Sequence, residues 1–231
     1  MKTEACSWRH QVASGNSLLE LVVSMSVLLA ILALVVAIMI YGVRMFGHTS
    51  LRQGLEGDAR RISSRLKKDL ALSDFHTVSV QERLVSGLRR DGVGLGSLSD
   101  WNDPSNFQAG LGLPRWNRYT VYYATQEATG RLVRQDIEPP GIPLAGWNSP
   151  YSALSSNLRD DPTLNTSVVS STVLSSQVEH FECRADVSEN TVTVVCRLRE
   201  KGQNVAGTNK KGDESIQFRL LLKTKNTWPD I

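Results

Sequence analysis

The sequence predicts an α+β fold in which one long N-terminal helix packs on an antiparallel β-sheet of about four to six strands. Three observations favour this fold class. Residues 21–43 contain no charged side chain. The residues after them repeat apolar side chains at intervals of three and four, the spacing of a single helix face. Beyond residue 117, segments that alternate apolar and polar residues are separated by turn sequences, which is typical of antiparallel strands.

The charge-free segment is long enough to cross a membrane. As a helix, residues 21–43 would be about 35 Å long, and the hydrocarbon core of a bilayer is about 30 Å thick. Glu20 is the one charged residue at its start. A carboxylate deep in a bilayer costs about 2.5–3.5 kcal/mol, so this position favours a partner of opposite charge. The alternative is an ordinary anchor with Glu20 at the level of the lipid headgroups.

The helix is predicted to continue beyond the membrane as an amphipathic one, from about Leu18 to Leu72 in all, or about 80 Å. Its apolar stripe consists of Leu51, Leu55, Ala59, Ile62, Leu66 and Leu70, and Arg52, Glu56, Arg60, Arg61, Arg65, Lys67, Lys68 and Asp69 are expected on the solvated face. Gly42, Gly47, Gly54 and Gly57 weaken the helix by up to about 1 kcal/mol each relative to Ala. Two interpretations are open: close packing against the domain, or a stretch able to unwind or bend.

Residues 86–118 are rich in Gly and Pro and are predicted to form loops. Gly92, Gly94 and Gly96 do not form a phosphate loop, because no Lys-Ser/Thr follows them. We expect the nearby aspartates to be turn residues rather than calcium ligands, because their spacing fits no EF-hand loop. We expect the aromatic residues to pin this loop onto the domain, with an exposed partner site as the alternative. They are Trp101, Phe107 and Trp116.

The rest of the chain is predicted to form strands. Residues 118–126 and 131–137 flank a turn that contains Gly130 and are predicted to form a hairpin. Residues 138–167 make a long connection. A second hairpin is predicted for residues 177–185 and 191–199 around the turn 186–190, and the last strand for residues 215–225.

The second hairpin suits a disulfide. If paired residue numbers sum to 379, Cys183 faces Cys196 and Phe181 faces Leu198, and this register also keeps the buried face apolar. It favours a cross-strand disulfide between Cys183 and Cys196 over two buried thiols, provided that the Cβ atoms come within about 4.5 Å. Metal binding is not predicted, because no second pair of cysteines lies nearby.

The residues before the apolar segment resemble the class III signal peptides of type IV prepilins and type II secretion pseudopilins. Residues 1–15 form a short polar leader with basic residues that ends in Gly15, and Glu20 is the fifth residue after it. A secretory signal peptide has the opposite order, with its cleavage site after an apolar region of about 7–15 residues. The resemblance implies that a prepilin peptidase cuts after Gly15 and methylates the new amine of Asn16, where the family usually has Phe.

The resemblance also implies a role for Glu20. In a filament, the Glu of one subunit meets the N-terminal amine of its neighbour, and a buried carboxylate persists when it is paired in this way. Loss of the leader would remove Cys6 and leave an even pair of cysteines, which favours an exported, oxidising location. The resemblance divides the chain into a leader (1–15), a transmembrane and assembly helix (16–43), an amphipathic continuation (44–75) and an exported β-rich domain (76–231).

The order of elements in the domain is similar to that of J-type pseudopilins and W-type minor pilins. This similarity implies a minor, low-copy or tip-priming subunit of a type IV pilus-type filament, with a pilin-like fold. The alternatives are a minor pseudopilin of a type II secretion system and an unprocessed bitopic membrane protein with an exported binding domain. The implied partners are other minor and major pilins or pseudopilins, the prepilin peptidase and, before assembly, the bacterial inner membrane, with the C-terminal domain outside the cytoplasm. After assembly, the expected location is a pilus or a periplasmic pseudopilus.

Composition and motifs point away from several other classes. The formal net charge of +3 is too small to predict a nucleic-acid surface. The four histidines are scattered, and the chain shows no catalytic serine motif, paired carboxylate motif or zinc signature. The sequence therefore predicts no enzyme, no catalytic residue, no cofactor and no metal.

Overall fold

A computed structural model describes residues 18–138, 165, 167–201 and 213–224. The chain divides between Gly47 and His48 into two compact units, which we describe separately. Helix α1 (Leu18–Leu72) contributes residues to both units. Its bounds are those that the sequence predicts.

The first unit is the apolar part of α1. Every described residue before His48 is exposed, with apolar side chains that range from 49% exposed at Val36 to 84% at Leu18. Among the described residues, α1 is the one helix long and apolar enough to cross a membrane. These apolar side chains are not buried by the rest of the described chain. An exposed apolar surface of this size is typical of a segment that contacts lipid or another protein.

The second unit begins with the amphipathic part of α1. Leu55, Ile62, Leu66 and Leu70 are buried, and Leu51 and Ala59 are partly buried, so the predicted stripe is confirmed. The helix ends where Ser73 N–H donates to the carbonyl of Asp69 at 3.2 Å. A short 3₁₀ helix, η1 (Phe75–Thr77), follows, and the side chain of Asp74 caps it.

The remaining elements form mainly one antiparallel sheet. Its seven strands lie in the order β1-β4-β5-β6-β7-β8-β9, and β2 and β3 form a separate two-stranded ribbon. The sequence predicts four to six strands, so the sheet is larger than expected. The strands are β1 (Ser79–Gln81), β2 (Leu84–Val85), β3 (Leu88–Arg89), β4 (Gly92–Ser97), β5 (Arg118–Ala124), β6 (Gly130–Ile137), β7 (Val168–Asp186), β8 (Thr191–Glu200) and β9 (Glu214–Lys223), with the 3₁₀ helix η2 (Pro104–Asn106) between β4 and β5.

Both faces of the central strands are buried. On one face, side chains of β4–β9 form the main core with the stripe of α1. On the other, a smaller cluster contains Tyr119, Val121, Tyr123, Val133 and Ile137. Strand β5 serves both clusters because successive side chains of a strand point to opposite faces. The chain therefore has an α+β composition, and in the second unit the amphipathic part of α1 covers one face of the sheet.

Strand β4 corrects the predicted loop. Gly92, Gly94 and Gly96 pair with residues of β5 and are buried in the sheet. Glycine is depleted in strands, so three glycines in six residues weaken the strand signal that Val93 and Leu95 give at alternate positions. At Gly96 the tertiary reason is clear, because a Cβ atom there would lie 2.8 Å from the side chain of Thr77.

The β7–β8 hairpin is confirmed, but its predicted register is wrong. Asp186 pairs with Thr191, so paired residue numbers sum to 377 rather than 379 and Cys183 faces Val194. The length of the turn sets this register. Both Cys183 and Cys196 are free thiols in the structure, so it does not contain the predicted disulfide. A shift of two residues leaves each side chain on its original face, and the face is buried as predicted at Phe181, Cys183, Val192, Val194, Cys196 and Leu198, although Ala185 near the turn is exposed.

Candidate assembly surface and its support

The candidate functional surface is the exposed apolar part of α1 with Glu20. Glu20 lies in the first turn of the helix, where a negative charge is favourable because the helix dipole is positive there. Residues 21–43 carry no charge, so Glu20 is the one ionic group between Leu18 and Val43. Among the residues that the structure describes, its carboxylate has no ion-pair partner. Gly15 and Asn16, the predicted processing site, lie outside the described residues.

The polar hydroxyls on this surface are satisfied within the helix. Ser24 donates to the carbonyl of Glu20 at 2.7 Å, and Ser26 donates to that of Val23 at 2.8 Å. A hydroxyl that donates to its own helix does not need water, so it is tolerated in an apolar environment. The surface can therefore exchange lipid for the apolar helix of another protein without leaving these hydroxyls unpaired.

In the second unit, a buried ionic network fixes the amphipathic part of α1 to the sheet. Oδ2 of Asp69 on the helix accepts hydrogen bonds from Arg134 Nε at 2.7 Å and from Tyr122 OH at 2.5 Å. Arg134 Nη1 also donates to Asp136 at 2.7 Å. Thr120 and Ser170 donate to the carboxylate of Asp136, at 2.8 and 2.7 Å. Three neighbouring strands, β5, β6 and β7, thus contact one helical carboxylate directly or through Arg134 and Asp136.

This network corrects the prediction for Asp69, which the sequence assigned to the solvated face. Its side chain is 12% exposed, and that of Arg134 is 11% exposed. A signal for this was present, because Asp69 follows Ile62 by seven residues and so lies on the buried stripe of the helix. The sequence gives no signal that Arg134 would meet it.

The environment of the network shifts three pKa values. Burial raises the pKa of Tyr122 far above its ordinary value, and the negative charge of Asp69 raises it further. Burial would lower the pKa of Arg134, but Asp69 and Asp136 more than offset this and raise it. Burial would raise the pKa of Asp136, but the hydrogen bonds from Arg134, Ser170 and Thr120 outweigh it, so that pKa lies below its usual value. All three shifts favour a neutral tyrosine beside ionised partners.

A second buried carboxylate, Asp91, joins the ribbon to the sheet. It is fully buried and accepts hydrogen bonds from the backbone N–H groups of Arg83 and Cys183 and from the guanidinium of Arg89. Asp91 therefore acts as a structural acceptor between the ribbon and the sheet. Its neighbour Arg90 is also buried.

The guanidinium of Arg90 packs against Gly130, where no side chain occupies the space. Its Nη1 donates to the carbonyl of Thr125 at 3.1 Å, and a Cβ atom at Gly130 would lie 1.4 Å from the same nitrogen. Burial lowers the pKa of Arg90. The Nε atom of Arg90 has no hydrogen-bond partner among the residues that the structure describes.

The two thiols are unsuited to chemistry. Burial raises the pKa of Cys183 well above its ordinary value and that of Cys196 to about 12. Because the thiolate is the reactive form of cysteine, both side chains are expected to be inert while the domain is folded.

An open pocket of about 460 Å³ lies beside Cys183 and is lined by Val80, Glu82, Arg89, Cys183, Arg184 and Ala185. Its charged groups are paired within the chain: Arg89 with Asp91 and Glu82, and Arg184 with Glu182. No group of three or more His, Cys, Asp or Glu residues that could hold a metal ion occurs in the part of the chain that the structure describes.

The aromatic residues of the loop between β4 and β5 pack on one another. The ring of Trp101 lies 6.4 Å from that of Phe107 and 6.2 Å from that of Trp116, measured between centroids. All three are partly exposed and belong to neither apolar cluster. Side-chain hydrogen bonds of Asn106 and Asn117 hold the loop.

Comparison with known proteins returned no match: no family model, curated protein or solved structure matches this chain.

Proposed function

We propose that the chain is a minor pilin, a low-copy or tip-priming subunit of a type IV pilus-type filament. In this proposal, a prepilin peptidase removes residues 1–15, and the apolar part of α1 holds the subunit in the inner membrane until it enters the filament. The fold that results is pilin-like. The observation that carries the proposal is the apolar surface of residues 18–43 of α1, which is exposed throughout and has Glu20 as its one charge.

The physical argument concerns the cost of an unpaired charge. In the membrane, Glu20 at the helix start can reach the headgroups, but between packed helices it would be removed from water. A buried carboxylate is costly unless it is paired and hydrogen-bonded. The amine that cleavage would create at Asn16 on a neighbouring subunit supplies the opposite charge. One pair per subunit would then set the axial position of each helix.

The experiment is the substitution Glu20→Ala, with Glu56→Ala on the exposed part of the same helix as the control. Glu56 pairs with Arg52 at the surface, so its loss removes the same charge without touching the apolar segment. We expect both variants to insert into membranes as wild type does. We expect the amount of Glu20→Ala recovered in sheared filaments to fall about tenfold, the effect of roughly 1.4 kcal/mol per subunit contact. Assembly of Glu20→Ala at the wild-type level would refute the charge-pair role.

The mass of the membrane-inserted protein tests the processing step. A product that begins at Asn16 supports the prepilin assignment, and a product that retains Met1 favours the bitopic alternative. The same helix and the same Glu20 would serve a pilus and a secretion pseudopilus, so the Glu20 variant does not separate these two alternatives. Recovery of the chain in a secretion pseudopilus instead of a surface pilus would favour the pseudopilin alternative.

A further inference from the structure

The last strand of the sheet has an open edge. Strand β9 pairs with β8 through ten consecutive residue pairs without a bulge, and it contains no Pro or Gly. Among the residues that the structure describes, no strand lies on its other side. A regular edge of this length presents a row of backbone N–H and C=O groups that another strand can pair with. The opposite edge, β1, is only three residues long.

The main core is incomplete along this edge. On β8, Val194, Cys196 and Leu198 are fully buried. Their partners on β9 are Leu220, Phe218 and Ile216, and each is only partly buried although it packs against the same core. An additional strand with apolar side chains on this face would cover them.

The other face of β9 is positively charged, which favours a negatively charged face on an added strand. Arg219 and Lys223 are exposed on it, four residues apart, with Leu221 between them. The β8 residues opposite them are uncharged, Val195 and Thr191, so β8 places no carboxylate opposite either cation. Neither cation has an ion-pair partner among the described residues. Opposite charges on facing strand positions stabilise pairing, so carboxylates are the complementary groups.

We propose that the outer edge of β9 binds an extended polypeptide segment of a partner protein, which adds a strand to the sheet. The segment carries apolar side chains at alternate positions and two carboxylates four residues apart on its other face. Backbone hydrogen bonds along the edge provide the affinity, and the pairs with Arg219 and Lys223 select the register. This inference does not depend on the proposed filament function, because it concerns a surface that α1 does not form.

The test uses the whole chain in detergent micelles and the ten-residue peptide Thr-Val-Glu-Val-Thr-Val-Glu-Val-Thr-Val. Amide hydrogen exchange is measured with and without peptide, and binding is followed by the anisotropy of a fluorescent label on the peptide. We expect the peptide to slow exchange at β9 and nowhere else in the sheet. A peptide with Pro in place of Val at positions 4 and 6 lacks two backbone N–H donors, and we expect its affinity to be at least about tenfold lower.

The charge selection is tested by reversing it. We expect Arg219→Glu combined with Lys223→Glu to weaken binding about three- to tenfold, since each exposed pair contributes little by itself. The same variant should bind better to a peptide with Lys in place of both Glu residues. Lys67→Glu combined with Lys68→Glu makes the same change in net charge on the exposed face of α1 and should leave binding unchanged.

Three results would overturn the proposal. The first is the absence of any protection of β9 at millimolar peptide. The second is equal binding of the proline peptide, which would show that the backbone edge is not used. The third is strong protection of both edges of β9 before any peptide is added. That would mean that another part of the chain, or a second copy detectable as a dimer by sedimentation, already occupies the edge.

Discussion

At the scale of single residues, the helix is held to the sheet by charge as well as by apolar contact. Asp69 is the one helical carboxylate that meets Arg134 and Tyr122, and both of its polar partners lie on strands. A buried ion pair is not by itself evidence of stability, because desolvation of the charges opposes their attraction. Breaking such a pair is costly, however, since it leaves the other charge buried and unpaired.

We therefore expect Asp69→Asn to destabilise the second unit by about 2–3 kcal/mol, somewhat less than a fully isolated charge would cost, because Arg134 keeps Asp136 as a partner. The measurement is urea unfolding of the chain in detergent. Glu56→Gln is the control, since its pair with Arg52 lies at the surface and should contribute less than about 1 kcal/mol. Equal effects of the two substitutions would show that the buried network does not stabilise the fold.

Asp136 gives the network a pH dependence. Its pKa is lower in the folded state than the ordinary value of 3.8, so the folded state binds its proton less readily. Its stabilising contribution is therefore present above about pH 4 and is lost as the pH falls through the folded-state pKa. We expect the urea midpoint to fall with decreasing pH in this range, and to fall less steeply in Asp136→Asn. Identical slopes in the two proteins would contradict this.

The two buried thiols allow a direct chemical test of their state. In a Cys6→Ser variant, we expect iodoacetamide to leave Cys183 and Cys196 unmodified in the folded chain. Both should react in denaturant without any reductant, because burial and their raised pKa values are lost on unfolding. If labelling in denaturant required a reductant, the two residues would form the disulfide that the sequence predicts.

At the scale of elements, the glycines of the helix and of the sheet have opposite roles. In α1, a Cβ atom at Gly57 meets nothing within 4 Å, whereas at Gly96 in β4 it would lie 2.8 Å from Thr77. Gly57 therefore lowers the helix propensity of α1, and no contact in the second unit requires a glycine at this position. The strand glycine allows η1 to lie close to the sheet.

We expect Gly57→Ala to stabilise the chain by about 0.5–1 kcal/mol, through better helix propensity. We expect Gly96→Ala to destabilise it by about 1–3 kcal/mol, through overpacking against Thr77. Thermal unfolding of both variants beside wild type measures the difference in sign. Stabilisation by Gly96→Ala would mean that η1 is displaced at little cost.

At the scale of the whole molecule, the second unit contains the folded core, and the first unit determines whether the chain is soluble in water. The unit that begins at His48 contains both apolar clusters, whereas the described residues before it are entirely exposed and almost entirely apolar. We expect a chain that begins at His48 to fold, to be soluble without detergent and to be monomeric in size-exclusion chromatography. The 231-residue chain should need detergent or lipid. Aggregation of the shorter chain with native circular dichroism would point to association through another surface, such as the edge of β9.

The sequence by itself determined the features that depend on local periodicity. These are the bounds of α1, the buried stripe from Leu55 to Leu70, and the hairpins β5–β6 and β7–β8. Each has a strong local pattern: a charge-free run, a repeat of three and four, or alternation around a turn. The candidate surface with Glu20 was visible for the same reason, since its composition is a property of one continuous segment.

The tertiary structure alone decided the features that join distant segments. Strand β4 has low strand propensity because three of its six residues are Gly, and its pairing with β5 and the close approach of Thr77 to Gly96 define it. The register of β7 on β8 follows from the length of one turn. A register shifted by two residues would place Cys183 opposite Cys196, whereas in the structure Cys183 faces Val194 and both thiols are free. The pairing of Asp69 with Arg134 joins residues 65 positions apart, which no local pattern encodes. Periodicity reports which face of an element is buried, but it does not report which side chain of another element meets it there.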